Sequence, residues 1–207
     1  MDSVIRRAVC AAAVAVVVAL PATAVAKRLE STRVLLARLR ASGRAEAAVV
    51  LRRTDPETGT ERATRGRLAL ELPGHARLEF PSTGEVLTLR GDGGEWLQPG
   101  PRQLLHAGPQ SAGAAMEWWA ALLDSGASFR ELPLPGRGYT LMPAAGDSSD
   151  AQRVWLGPGR LPERLEIATG FGERQRYDLS AWRFTRPRGR AAFVLTAPPG
   201  FETVELP

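Results

Sequence analysis

The chain has 207 residues, 44% of them hydrophobic, with one cysteine, two histidines and 27 basic against 22 acidic side chains, a formal net charge of +5 at pH 7. One thiol excludes a disulfide framework, and so few cysteines and histidines exclude the common transition-metal sites. The positive charge is almost wholly arginine and is scattered rather than gathered on one element, the pattern of a solvated surface and not of a nucleic-acid interface, so no nucleic-acid partner is expected.

In chain order, Arg6 and Arg7 precede the apolar run Ala8 to Leu20, and Pro21-Ala-Thr-Ala-Val-Ala26 follows. A charged start, an apolar run too short to span a bilayer and a small-residue site read as a secretory signal over residues 1–26, cut after Ala26 or alternatively after Ala24. Cys10 lacks the small apolar signature that a lipid-modified cysteine needs, so no lipid anchor is expected. Residues 27–207 are expected as one exported, soluble domain, large enough to bury a core of its own.

Leu29, Val34, Leu35, Leu36 and Leu39 recur at near-helical spacing, with Arg33, Arg38 and Arg40 on the other side and Gly43 as a stop, which predicts one amphipathic helix. Strands are predicted over 45–53, 62–72, 76–80, 85–90, 95–98 and 103–106, parted by turn residues in the manner of an antiparallel meander. A second helix interrupts them: Ser111 can cap it, Met116, Trp118, Trp119, Leu122 and Leu123 supply a wide apolar face, and Gly126 can close it. Strands resume over 128–132, 138–142, 153–156, 164–168, 173–179, 182–185 and 192–195. The expectation is mainly β, about ten or eleven strands with two helices. Alternation sends Leu68, Leu70, Leu72, Leu78 and Phe80 to one face and Arg67, Glu71, Arg77 and Glu79 to the other, a sheet wet on one side.

Catalytic groups are sparse. His75 and His106 sit in or beside turns and outside any nucleophile motif, where a histidine is ordinarily a polar surface residue. Gly146-Asp-Ser-Ser-Asp150 lacks the downstream glutamate of a calcium loop, and Gly91-Asp-Gly-Gly94 has no following helix to cradle a phosphate; both read as hairpin turns. Arg186-Pro-Arg-Gly-Arg190, the one basic cluster, also reads as a turn. An enzyme is not expected, and neither a cofactor nor a metal is implied.

Three stretches carry a resemblance: Gly66-Arg-Leu-Ala-Leu-Glu-Leu-Pro73 with His75-Ala-Arg-Leu-Glu-Phe80 and Pro81; Asp92-Gly93 with Trp96, Pro99 and Gln103; and Phe193-Val-Leu-Thr-Ala-Pro-Pro-Gly-Phe201 with Val204. In their order the chain resembles the LolA family of periplasmic lipoprotein carriers. That resemblance implies an incomplete, strongly curved antiparallel β-barrel with a helical lid over an apolar cavity, a periplasmic location, lipoprotein or lipid acyl chains as cargo, and transient partners: an inner-membrane exporter and an outer-membrane acceptor. The expected lining is Leu68, Leu70, Leu72, Leu78, Phe80 and Trp96, with Met116, Trp119 and Leu123 from the lid, in a monomeric protein. The chain departs from the family pattern where an arginine associated with holding the lid closed matches Leu72. It also lacks an aromatic near Ala76, and the interval from Asp92 to Trp96 is one residue short. A lipid-responsive sensor or interaction module on the same scaffold is the alternative reading.

Overall fold

The computed structural model describes residues 29–91, 93–108, 123, 129–143, 152–168 and 174–206. Helix α1 (Glu30–Ser42) leads into β1 (Arg44–Thr54), β2 (Glu61–Glu71), β3 (His75–Phe80), β4 (Glu85–Arg90), β5 (Gly93–Gln98) and β6 (Gln103–Ala107). Then follow β7 (Phe129–Leu134), β8 (Gly138–Pro143), β9 (Gln152–Leu156), β10 (Pro162–Ala168), β11 (Arg174–Thr185), a 3-10 turn at Arg190–Phe193 and β12 (Glu202–Leu206). All twelve strands form one sheet in the order β12-β6-β5-β4-β3-β2-β1-β11-β10-β9-β8-β7. Every neighbouring pair is antiparallel except β12 with β6, which is parallel.

The expected incomplete barrel is open, with β7 and β12 on opposite edges and unpaired, as a closed barrel would not allow. Its expected strong curvature is corrected: the sheet is not strongly curled. The described residues hold twelve strands, against the ten or eleven expected.

Two differences from the predicted strands share a cause in backbone bonding. The segments 173–179 and 182–185 are one strand, β11, interrupted by a bulge: Glu46 faces Arg183 and Ala48 faces Ser180, with Ala181 at φ 52° absorbing the extra residue. The bulge keeps Tyr177 and Leu179 on the same face as Trp182 and Phe184, so one irregular residue preserves the apolar register of both halves. The predicted strand 192–195 is instead part of a strap, residues 186–201, whose main chain bonds to side chains, and the last strand is β12.

Alternation holds on the inner face. Ala45, Ala47, Val49 and Leu51 of β1, Leu68 and Leu70 of β2, Ala76, Leu78 and Phe80 of β3, Leu165 of β10 and Val154 of β9 form one buried core. Helix α1 covers the half built from β1, β11, β10 and β9, burying Leu35, Leu36 and Leu39 as the spacing predicts. Its N-terminus lacks a local cap, and Glu131 of β7 supplies one, its two carboxylate oxygens accepting the Glu30 and Ser31 backbone N–H groups at 2.8 and 2.9 Å. A carboxylate there also meets the positive end of the helix dipole. Gly43 ends the helix at φ 93°, its N–H donating to the Leu39 carbonyl, and Pro187 packs so close that a Cβ on Gly43 would lie 2.6 Å from Pro187 Cδ. Gly66 is equally constrained: the Phe80 ring lies where its Cβ would be, at 2.7 Å.

A parallel neighbour needs a crossover, and the strap provides it. From β11 to β12 there are seven strand intervals, roughly 34 Å at the usual spacing, and sixteen residues reach roughly 53 Å when extended. The strap therefore crosses the outer face diagonally with slack for the 3-10 turn.

Candidate functional site

The inner face of the β2-to-β6 half is organised in cross-strand rows. Leu68 faces Leu78, Leu78 faces Leu87, Leu87 faces Trp96, and Trp96 faces Leu105. Beside it, Leu70 faces Ala76, then Leu89, Gly94 and Ala107. Burial falls along the first row. Leu68 is 1% exposed and Leu78 3%, whereas Leu87, Trp96 and Leu105 are only half-buried. The second row ends in glycine and alanine, which lowers the apolar wall at β5 and β6, toward the β12 edge. Helix α1 lies over the opposite half.

Of the expected lining residues, Leu68, Leu70, Leu78 and Phe80 lie together in the buried core, and Leu72, although in the turn beyond β2, packs against it half-buried. Trp96 sits at the half-buried end. Leu123 is helical and packs against the core, while Met116 and Trp119 lie outside the described residues, as do Ser111, Gly126, Asp92, Asp147 and Asp150. Leu87, Leu89 and Leu105 share this face and were not among the expected lining; the alternation in 85–90 carries the signal that would have found Leu87 and Leu89, whereas Leu105 directly follows Leu104 and has no such signal. The turn predicted at 91–94 is a hairpin, since Arg90 faces Gly93.

The outer face carries the charges. Glu71, 2% exposed, takes a hydrogen bond from Arg44, 5% exposed, at 2.5 Å, and accepts the backbone N–H groups of Arg188 and Gly189 at 2.8 and 3.0 Å. Burial pushes the Glu71 carboxyl up, but the Arg188 N–H, the Arg44 guanidinium and the Gly189 N–H outweigh it and hold the group below its usual range. Further along, Glu95 accepts the Leu195 N–H at 2.6 Å and pairs with Arg90 at 2.8 Å. Between these anchors Phe193 is fully buried, stacked on His75 at 5.2 Å and under the Arg44 guanidinium at 5.9 Å. The basic run 186–190 is thus the root of the strap, not a simple turn. His75 and His106 are half-buried rather than surface groups, His106 Nδ1 lying 3.3 Å from Glu205.

Among the described residues no group of three His, Cys, Asp or Glu is placed to hold a metal ion, and no helix is long and apolar enough to cross a membrane.

No protein-family profile and no curated protein matches the sequence. The fold is similar to solved structures, among them those of LolA superfamily proteins, at low sequence identity. A DUF1329 family protein from Desulfovibrio piger aligns with a TM-score of 0.51 at 12% identity, covering 80% of this chain and 95% of the other. A LolA superfamily protein from Nitrosomonas europaea aligns at 0.43 and 10% identity over 79% and 97%. A putative outer membrane lipoprotein-sorting protein domain from Vibrio parahaemolyticus aligns at 0.45 and 12% identity over 78% and 95%.

Proposed function

We propose that the protein is a non-enzymatic, monomeric periplasmic carrier. It holds the acyl chains of a lipoprotein or another lipid against the inner face, between an inner-membrane exporter and an outer-membrane acceptor. The observation that carries this reading is the gradient of burial along Leu68, Leu78, Leu87, Trp96 and Leu105: an apolar row that continues from the core to incompletely buried leucine and tryptophan. Each methylene taken out of water contributes about 0.8 kcal/mol, so a short acyl chain laid along such a row is held without covalent chemistry. The sequence resemblance supports the same reading, with residues 1–26 as the export signal and 27–207 as one carrier domain. In it, Met116, Trp119 and Leu123 also belong to the apolar lining. Tryptophan and methionine suit that role, since both repack around an irregular ligand.

The test is native mass spectrometry of the full chain expressed with its own N-terminal segment and purified from a bacterial periplasm. An acyl-bearing ligand is expected on the wild type and is expected to be lost in Trp96→Glu, a half-buried position whose charge should not unfold the core. A wild type that carries no acyl ligand and takes up no fluorescent fatty acid would refute the carrier reading.

A further inference from the structure

A groove of about 740 Å³ opens on the outer face, the side opposite the apolar rows, where the root of the strap passes over β11, β1, β2 and β3. Its floor and strap side are built from small residues, among them Ala48, Ala69, Ala181, Ala191 and Ala192. Long side chains would otherwise fill this space, and those that rim it are mainly arginines.

The charges do not cancel. Five arginines and two glutamates line the groove. Glu46 is shared between Arg44 at 2.7 Å and Arg188 at 3.7 Å, and Glu79 is taken by Arg77 at 2.5 Å. Arg67 and Arg183 are exposed and have no ion pair among the described residues, and Arg188 is 69% exposed. The register brings these cations to one place. Arg67 faces Ala48 from β2, and Arg183 faces Glu46 from β11, so they flank β1 from opposite sides. Two strand spacings across and two residues along put their Cα atoms about 12 Å apart, close enough for two extended guanidinium side chains to meet over the exposed Ala48. Three guanidinium forks around one alanine-floored space match the several oxygens of a phosphate, which a planar carboxylate does not offer.

We propose that this groove binds a phosphate-bearing group, seated over Ala48 between Arg67 and Arg183, with Arg188 reaching it from the strap. The ligand is either a soluble phosphate ester or the headgroup of a phospholipid. The site is separate from the acyl-binding surface, so either assignment can fail without the other.

The experiment titrates the full chain with glycerol 3-phosphate, and in parallel with phosphatidylcholine vesicles with and without phosphatidic acid. Saturable binding is expected with at least one phosphate probe. The expected loss is at least tenfold in Arg67→Gln/Arg183→Gln and similar in Ala48→Phe, which fills the floor without changing charge. Arg53→Gln/Arg62→Gln, an exposed pair outside the groove, removes the same charge and should bind like the wild type. Binding of glycerol 3-phosphate identifies a soluble ligand, and binding to the anionic vesicles alone identifies a headgroup. No saturable binding to either probe, or an equal loss in the control pair, overturns the proposal.

Discussion

Leu70 and Glu71 are neighbours in one strand, yet they are held by opposite means. Leu70 is fully buried on the inner face among side chains that it need only touch, and many apolar shapes would serve. Glu71 is buried on the outer face only because Arg44 and two backbone N–H groups of the strap converge on it. Apolar packing is tolerant and additive, whereas a buried charge is stable only while every partner is present. The inner face can therefore be shaped by substitution without loss of the fold, and the outer face is all-or-none.

The sharpest way to break that contrast is Glu71→Ala, which leaves Arg44 buried without its main counter-charge. We expect a loss of about 3 to 5 kcal/mol in urea unfolding, and a loss below 1 kcal/mol would show that the strap does not depend on the carboxylate. Next comes Leu70→Ala, expected to cost about 3 kcal/mol by leaving a core cavity, with an unchanged urea dependence. The two faces also differ in acid. Because the Glu71 carboxyl lies below its ordinary 4.5 in the folded protein, its stabilisation is fully present above that value and is lost as pH falls through the lowered folded one. Wild type should thus lose stability in that acid window, and Glu71→Gln should flatten the dependence there; parallel acid profiles for the two proteins would contradict the assignment. A smaller effect, about 1 kcal/mol, is expected from Glu131→Ala, which removes the N-cap of α1, read from thermal unfolding. The smallest is Ala181→Gly: glycine relieves the left-handed backbone of the bulge but loosens the unfolded chain, so the melting temperature should stay within about 3 °C of the wild type.

Much of the inner face was legible in the sequence because its rule is local. Period-two alternation placed Leu68, Leu70, Leu78 and Phe80 on one side, helical spacing placed Leu35, Leu36 and Leu39, and Gly43 marked the helix end. The outer face was illegible because its partners are distant. Nothing near residue 188 announces a carboxylate at residue 71, nothing near Glu30 announces Glu131, and the strap at 192–195 alternates like a strand while bonding to side chains. The same distance hid β12, whose short, polar-rich run pairs with β6 only after the chain has crossed the sheet. The flatness of the sheet also escaped, since alternation specifies which side a residue faces and not how strongly the strands curl. On the candidate face, alternation placed Leu68, Leu70, Leu78, Phe80 and Trp96, and the same period runs through Leu87 and Leu89, which were passed over; Leu105 was hidden because it directly follows Leu104, and two adjacent leucines mark no face.

The strap has a mechanical consequence. Bending the sheet to cup something on its inner face lengthens the path across its outer face, and that path is spanned by a chain of fixed length fastened at Glu71 and Glu95. It acts as a tie-rod on the convex side. The strands between its fastenings can flex only until the slack is drawn out, after which further curvature has to tear a buried carboxylate from its donors. The stiffness of the apolar wall is thus set from behind, by a segment that never touches what the wall would hold.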